Sequence, residues 1–211
     1  MYKHIPAKEE SSAKTPVLVL MHGVGSNEQD LAEFGASLDP RLDVYSLRGP
    51  LAMGPHSYGW FHVNFTEQGP VHNKEQAEVA RQHVVEFLRD LCQKPNVDTE
   101  RIFLAGFSQG AIMSFSVALT EANLVRAVFG MGGRTLQEMA ALSRKSNYSA
   151  TPDVFILHGI EDNRLPFFHA QESERVFSDA GFPVQLLTYS AQHEVSEEMR
   201  ADIRRLLKQR L

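Results

Sequence analysis

The stretch Arg101-Ile-Phe-Leu-Ala-Gly-Phe-Ser-Gln-Gly-Ala-Ile-Met-Ser-Phe-Ser-Val-Ala-Leu119 decides the fold. Its first five residues form a short apolar run of strand length, and Ala111 to Leu119 form an apolar run of helical length. Between them stands Gly106-Phe-Ser-Gln-Gly110, the pattern G-x-S-x-G in a strand, turn and helix context. A serine hydroxyl is a poor nucleophile at neutral pH, so hydrolytic chemistry needs it pushed clear of the backbone beside a base. Glycines two positions either side of Ser108 remove the β-carbons that would collide in a tight turn, which can then expose the hydroxyl. A helix opening at Gln109 aims the positive end of its dipole at the same point.

A serine so placed predicts an acid and then a histidine further along the chain. The strand-like Asp153-Val-Phe-Ile-Leu157 leads into His158-Gly-Ile-Glu-Asp-Asn-Arg-Leu-Pro166, which puts Asp162 in the loop beyond it, with Glu161 as the neighbouring alternative. A second strand-like run, Pro183 to Tyr189, ends at Ser190-Ala-Gln-His-Glu-Val-Ser196, which puts His193 in the equivalent loop. Loops at the carboxyl ends of parallel strands are where open α/β sheets carry their sites. Of nine histidines only His169 and His193 follow Asp162, and His169 opens a helical stretch too close along the chain to reach Ser108. His22 and His158 each end an apolar run before a glycine, which suits hydrogen-bonded histidines at strand ends.

A tetrahedral intermediate needs donors for its oxyanion. The backbone N–H of Gln109, next after the nucleophile, is one, and the loop after an early strand supplies the other. Thr15 to Met21 is that strand and His22-Gly-Val-Gly-Ser26 the loop, so the second donor is assigned to the N–H of Val24. Ser26 and Gln29 fit an S-x-x-Q capping box for a helix presenting Leu31, Phe34 and Leu38. The loop lacks the G-x-x-x-x-G-K-[ST] pattern of a phosphate cradle.

Five segments together resemble the phospholipase/carboxylesterase family of α/β-hydrolases: residues 20 to 31, Tyr58-Gly-Trp-Phe61, Gly106 to Gly110, His158 to Pro166, and Gln192-His-Glu-Val-Ser196. The similarity runs from about Pro16 to the last helix. It implies a cofactor-free esterase with Ser108, Asp162 and His193 as triad, on an α/β-hydrolase fold with a minimal lid. The chain departs from the family pattern at Gln192 and Ala111, where glycine is usual. Carboxylester hydrolysis on short to medium acyl chains is the expected activity. A thioesterase or lysophospholipase acting on long chains is a rival, as is a catalytically silent binding protein, since fold does not fix function.

Composition is consistent with one domain over residues 1–211: 43% hydrophobic and 22% charged residues are ordinary for a folded soluble chain. The polar N-terminus has no signal-peptide core and no apolar run approaches a spanning helix, so a cytoplasmic protein without membrane insertion is expected. A net charge of −5 with no long basic patch argues against nucleic acid as partner. The segment His193 to Glu197 reads H-E-x-x-E and lacks the second histidine of a zinc motif, so no metal is expected. The single Cys92 excludes an internal disulfide. Partners reduce to a small ester or thioester, with room left for a homodimer.

The chain alternates expected strands near 17–21, 43–47, 101–105, 125–129, 153–157 and 184–189 with helices near 27–38, 75–94, 109–121, 169–180 and 195–210. Such alternation implies a mostly parallel sheet covered by helices on both faces. Two long connections remain: 48–73, and 130–152 with a short helix capped by Thr135 and Glu138. The first carries Tyr58, Trp60 and Phe61, assigned here to a substrate-pocket wall, with Phe65 nearby and a plug at the sheet edge as the alternative.

Overall fold

A computed structural model describes residues 1–9, 14–66, 69–143 and 151–211, without the side chains of 65, 66, 69 and 70. The chain begins with β1 (Tyr2–Ile5), β2 (Thr15–Met21), α1 (Ala32–Ala36), β3 (Asp43–Leu47), β4 (Leu51–Gly54) and β5 (Ser57–Gly59). It continues through β6 (Val63–Thr66), β7 (Gly69–His72), α2 (Lys74–Cys92), β8 (Val97–Phe107) and α3 (Gln109–Thr120). The last third holds β9 (Ala127–Met131), α4 (Gln137–Leu142), β10 (Asp153–Gly159), α5 (Phe168–Asp179), β11 (Val184–Tyr189) and α6 (Glu197–Lys208).

Seven strands form one sheet in the order β1-β3-β2-β8-β9-β10-β11. Every neighbouring pair is parallel except β1 with β3. Parallel strands must be covered on both faces, and the central ones accordingly have no polar alternation: Ile102 to Ala105 and Val17 to Met21 are fully buried. The outer strand β11 mixes half-buried with exposed residues. On one face α2, α3 and α5 bring Val84, Leu88, Phe115 and Phe177 against Val19, Leu104, Val128 and Ile156. On the other, α1 and α6 bring Phe34, Met199, Ile203 and Leu207 against Leu18, Leu20, Phe103 and Leu157. The fold is thus the expected α/β arrangement.

Caps set the ends of the amphipathic helices. Asn73 accepts the N–H of Gln76 at 3.0 Å to start α2, and Ser196 accepts that of Met199 at 3.3 Å to start α6. Glu197 and Glu198 in the first turn of α6, with Arg205 and Lys208 in its last, suit the helix dipole. No helix among the described residues is long and apolar enough to cross a membrane.

Several local expectations fail for tertiary reasons. The helix expected over 27–38 shortens to α1, and the Ser26–Gln29 capping box does not form. Ser26 is instead held in an antiparallel bridge to Tyr58, its hydroxyl donates to Asp30, and the N–H of Gln29 goes to the side chain of Asn27. Thr135 does not cap α4, because its N–H is engaged by the Ser173 hydroxyl at 2.9 Å while Glu138 is held by His72. Strand β9 begins two residues later than expected and ends at Met131, and β8 extends back to Val97. Strand β1 and the hairpins β4–β5 and β6–β7 carry no sequence signal strong enough to be read; their pairing is supplied by the sheet edge and by each other.

The tightest approach lies where β8 turns into α3. A β-carbon on Gly110 would lie 2.0 Å from the carbonyl oxygen of Met21, with backbone on both sides and no flexible side chain to yield. Gly110→Ala should therefore destabilise the protein by roughly 3 kcal/mol, lowering the thermal midpoint by about 6 to 12 °C. Gly54→Ala, in the exposed hairpin where the nearest atom would be 3.9 Å away, should change stability by less than about 0.5 kcal/mol. Equal midpoints for the two variants in a thermal melt would refute the close-approach account.

Candidate active site

The turn between β8 and α3 holds Ser108 at φ 54°, ψ −117°. Only His56 shares a positive φ among the described non-glycine residues. Such a conformation costs on the order of 1–3 kcal/mol and persists only when its surroundings impose it. They do so here: Gly106 and Gly110 meet backbone to backbone, where a β-carbon on Gly106 would lie 2.3 Å from the Gly110 carbonyl, and the Ser108 N–H is tied to Met131 O at 2.9 Å. The hydroxyl is thereby directed away from the turn, at the N-terminus of α3.

The loops after β10 and β11 bring the two predicted partners to it. His193 Nε2 lies 3.0 Å from Ser108 Oγ, and His193 Nδ1 lies 2.7 Å from Asp162 Oδ2. Asp162 is a buried acceptor whose Oδ1 takes the N–H groups of Arg164 and Leu165, each at 2.8 Å. Burial pushes its carboxyl upward, but the bonds from His193, Leu165 and Arg164 outweigh this and the net direction is downward, toward the carboxylate. A carboxylate facing Nδ1 holds the proton there and leaves Nε2 to accept from the serine. The imidazole is wedged between the Phe107 ring, 4.9 Å between centroids, and Gly132, where a β-carbon would meet Nδ1 at 3.4 Å. Glu161 is exposed and outside this chain of contacts.

His158 supports the acid from below. Its Nε2–H donates to Leu165 O at 2.8 Å and lies 3.4 Å from Asp162 Oδ2, and burial lowers its pKa, so it is neutral. The backbone at the Gln192 departure passes close to Gly159, where a β-carbon would lie 2.6 Å from Gln192 O. Ala111 likewise faces a glycine, Gly133, at a would-be β-carbon distance of 2.4 Å.

The loop after β2 packs against the serine, with a β-carbon on Gly23 falling 3.4 Å from that of Ser108. Gly25 N–H donates to Tyr58 O and Tyr58 N–H to Ser26 O, both at 2.8 Å, so the segment carrying Val24 is stitched to β5. Beneath it His22 donates from Nδ1 to Gly23 O at 2.7 Å and accepts the Gly49 N–H on Nε2 at 3.0 Å. Burial lowers the pKa of His22, in keeping with this neutral, two-sided clamp. As the first residue of α3, Gln109 has a backbone N–H that no intrahelical carbonyl can reach.

The pocket-wall assignment of Trp60 and Phe61 is corrected by their burial: they are 2% and 1% exposed, inside the larger core cluster. Trp60 Nε1 donates to His22 O at 2.9 Å, so the ring is a brace under the Val24 loop, close to the edge-plug alternative. Tyr58 is half-buried, stacked under the Arg48 guanidinium at 4.4 Å, with its hydroxyl accepting from Nη1 at 3.2 Å. Phe65 falls outside the described side chains. A residue that the motif hid is the Gln109 side chain, whose Oε1 accepts the Trp60 N–H at 2.9 Å and whose Nε2 donates to Phe61 O at 2.8 Å. No local pattern in the sequence marks that side chain as buried. Exposed apolar surface beside the turn comes instead from Val24 and Met53, each 47% exposed and both touching the space over Gly59. An open polar cleft of about 750 Å³ runs along the outer side of the histidine loop, lined by Glu161, Asn163, Arg164, Gln192, His193 and Glu194.

This sheet order, with loops of β2, β8, β10 and β11 converging on a strained serine turn, defines an α/β-hydrolase. The sequence pattern of the Phospholipase/Carboxylesterase family matches residues 3–211, and the chain belongs to that family of esterase-type hydrolases. Esterase YpfH of Escherichia coli (strain K12) is 29% identical over 191 residues, covering 88% of this chain and 78% of the relative. Acyl-protein thioesterase 1 of Gibberella zeae is 22% identical over 225 positions, covering 93% of each. The crystal structure of esterase PE8 superposes with a TM-score of 0.87 over 99% of this chain and 98% of that one at 24% identity, which shows the shared fold.

The pair of buried Glu28 and half-buried Arg48 anchors the Tyr58 contact, and the guanidinium hydrogen bonds hold the Glu28 carboxyl down at about 2. A depressed carboxyl contributes stability above its ordinary value of 4.5 and loses it as pH falls toward about 2. Glu28→Gln should therefore melt below the wild type at pH 7, with the gap closing between pH 4.5 and about 2. A gap that stays constant over that window would show that the ion pair is not its source.

Proposed function

We propose that the protein is a serine carboxylesterase working through an acyl-enzyme on short to medium acyl esters. The observation that carries this is the unbroken hydrogen-bond chain Ser108, His193, Asp162 on a strained turn. His193 Nε2 takes the proton of Ser108 Oγ as Oγ bonds to the ester carbonyl carbon. The resulting oxyanion is held by the N–H groups of Val24 and Gln109, each donor lowering the barrier by roughly 3 to 4 kcal/mol. The C–O bond to the leaving group breaks as the imidazolium returns the proton to it. Water, deprotonated by the same imidazole, then releases the acid and restores the serine. Asp162 keeps the proton on Nδ1 and stabilises the imidazolium. No step calls for a metal or cofactor.

Support for short to medium acyl groups comes from how little apolar surface flanks the turn. Each methylene removed from water contributes ~0.8 kcal/mol, and among the described residues the exposed apolar side chains beside Gly59 are Val24 and Met53. A complete, well-formed triad geometry favours an enzyme over a silent binding protein, and the likeness to an acyl-protein thioesterase makes a thioester a natural companion substrate in any assay.

A fluorophosphonate, which mimics the tetrahedral intermediate, should label the protein once, at Ser108, and Ser108→Ala should abolish labelling. Mass-spectrometric mapping to Cys92 or another serine would remove the assignment. Asp162→Asn should preserve the fold but lower kcat by up to about 10⁴, because an amide favours the wrong imidazole tautomer. Glu161→Gln should cost less than about tenfold, in keeping with its exposure. Reversed effects in a steady-state assay would transfer the acid role to Glu161.

A further inference from the structure

Charged side chains leave water only when something pairs with them. Among the described arginines that are buried or half-buried, all but one have a carboxylate within 4.0 Å. The exception is Arg134. Its one hydrogen bond is a long 3.5 Å contact from Nη1 to the carbonyl of its neighbour Thr135. Burial lowers its pKa, and the two acids that oppose this, Glu138 and Glu172, act only at a distance. Glu138 is already engaged by His72, and Glu172 is exposed on α5.

The position of this arginine gives the missing partner a place. Arg134 follows the carboxyl end of β9, whose last residue, Met131, accepts the N–H of Ser108. Gly132, two residues before it, has φ +56° and abuts the His193 ring, and its N–H is tied to Leu157 O at 2.9 Å. Thr135, the next residue, is fixed to Ser173. The backbone is therefore pinned on both sides of Arg134, and two residues of extended chain, about 7 Å, separate it from the imidazole contact. Half-buried His169 lies one turn before Ser173 on α5, its carbonyl accepting the Ser173 hydroxyl at 2.7 Å, and its ring packs on that of Phe168 at 3.9 Å between centroids. Burial and then the charge of Arg134 push the pKa of His169 down, while Glu172 and Asp162 push it up and His158 down. A neutral imidazole can donate one hydrogen bond without adding to the charge.

Resting on the serine-esterase reading, we propose that Arg134, with His169 beside it, binds an anionic group of the substrate, so that the preferred esters carry a carboxylate or phosphate remote from the scissile carbonyl. A guanidinium whose backbone is fixed and whose carboxylate partner is absent is pre-organised for such a group, which it can grip through two parallel N–H donors. The anion stands on either the acyl or the alcohol side of the ester, and the substrates below distinguish the two.

Two matched pairs test this: mono-p-nitrophenyl adipate against its methyl ester, and 4-acetoxybenzoate against its methyl ester. In the wild type, kcat/KM for the anionic member of at least one pair should exceed that of the neutral member by about tenfold or more. Arg134→Gln should collapse that ratio to about one, and Arg134→Lys should keep part of it, because a point charge replaces a planar fork. The ratio is internal to each variant, so a partial loss of folded protein cannot mimic the effect. Anion recognition is also read without chemistry, by calorimetric binding of mono-p-nitrophenyl adipate and 4-acetoxybenzoate to Ser108→Ala and to Ser108→Ala/Arg134→Gln. At least one should bind the first about tenfold more tightly than the second. Wild-type ratios at or below one in both pairs, or ratios and affinities indifferent to Arg134→Gln, would overturn the proposal. Failure of the wild type to hydrolyse any neutral ester would strike the serine-esterase reading instead, leaving the binding comparison to decide on the anion site.

Discussion

The carbonyl of Met21 and the α-carbon of Gly110 press together more closely than any side chain would allow, and the rest of the site hangs on that contact. It brings the end of β2 against the start of α3, which forces the intervening turn into the geometry seen at Ser108. The cost of that geometry, on the order of 1–3 kcal/mol, is offset by a fully buried α3 and by the hydrogen bond to Met131. Because β2 ends at the same place, its following loop is laid beside the serine. One steric constraint thus positions nucleophile, helix terminus and backbone donors together.

Around that point, three histidines differ in role because their surroundings differ. His22 is buried, neutral and bonded on both nitrogens to backbone, so it acts as a clamp. His158 is buried against Asp162 and bonded to Leu165 O, which helps to hold the loop that presents the acid. His193 is the one whose second nitrogen faces a hydroxyl rather than a peptide. Gln109 links these parts, since its side chain grips the backbone of residues 60 and 61 while its main chain begins α3. Motion of the Trp60 brace would therefore be felt at both the Val24 loop and the nucleophile turn.

Much of this was legible in the residues. The strand, turn and helix around Ser108 announce themselves because three different local requirements coincide within nineteen residues of chain, from Arg101 to Leu119. Asp162 and His193 were legible because each follows an apolar strand and precedes a helix. Elsewhere local signals misled. Ser26 looks like a helix cap but its backbone is consumed by Tyr58, and Thr135 looks like another but is tied to Ser173. The aromatic group at 58–61 looks like a pocket wall because aromatic residues in a long loop often are; here a tryptophan N–H found a strand-end carbonyl and the ring went inward.

The amino-acid sequence by itself determined the alternation of the six strands β2, β3, β8, β9, β10 and β11 with helices, the parallel sheet they imply, and the identity of the serine, histidine and acid that meet. Each of these is encoded in short-range pattern: apolar period, glycine placement and residue type at strand ends. Only the tertiary structure decided which groups are left without partners. Whether an arginine is paired or a tryptophan is accessible depends on residues distant in the chain that arrive beside it. The solitary state of Arg134 and the burial of Trp60 are facts of that kind, set by desolvation and packing that no local pattern records.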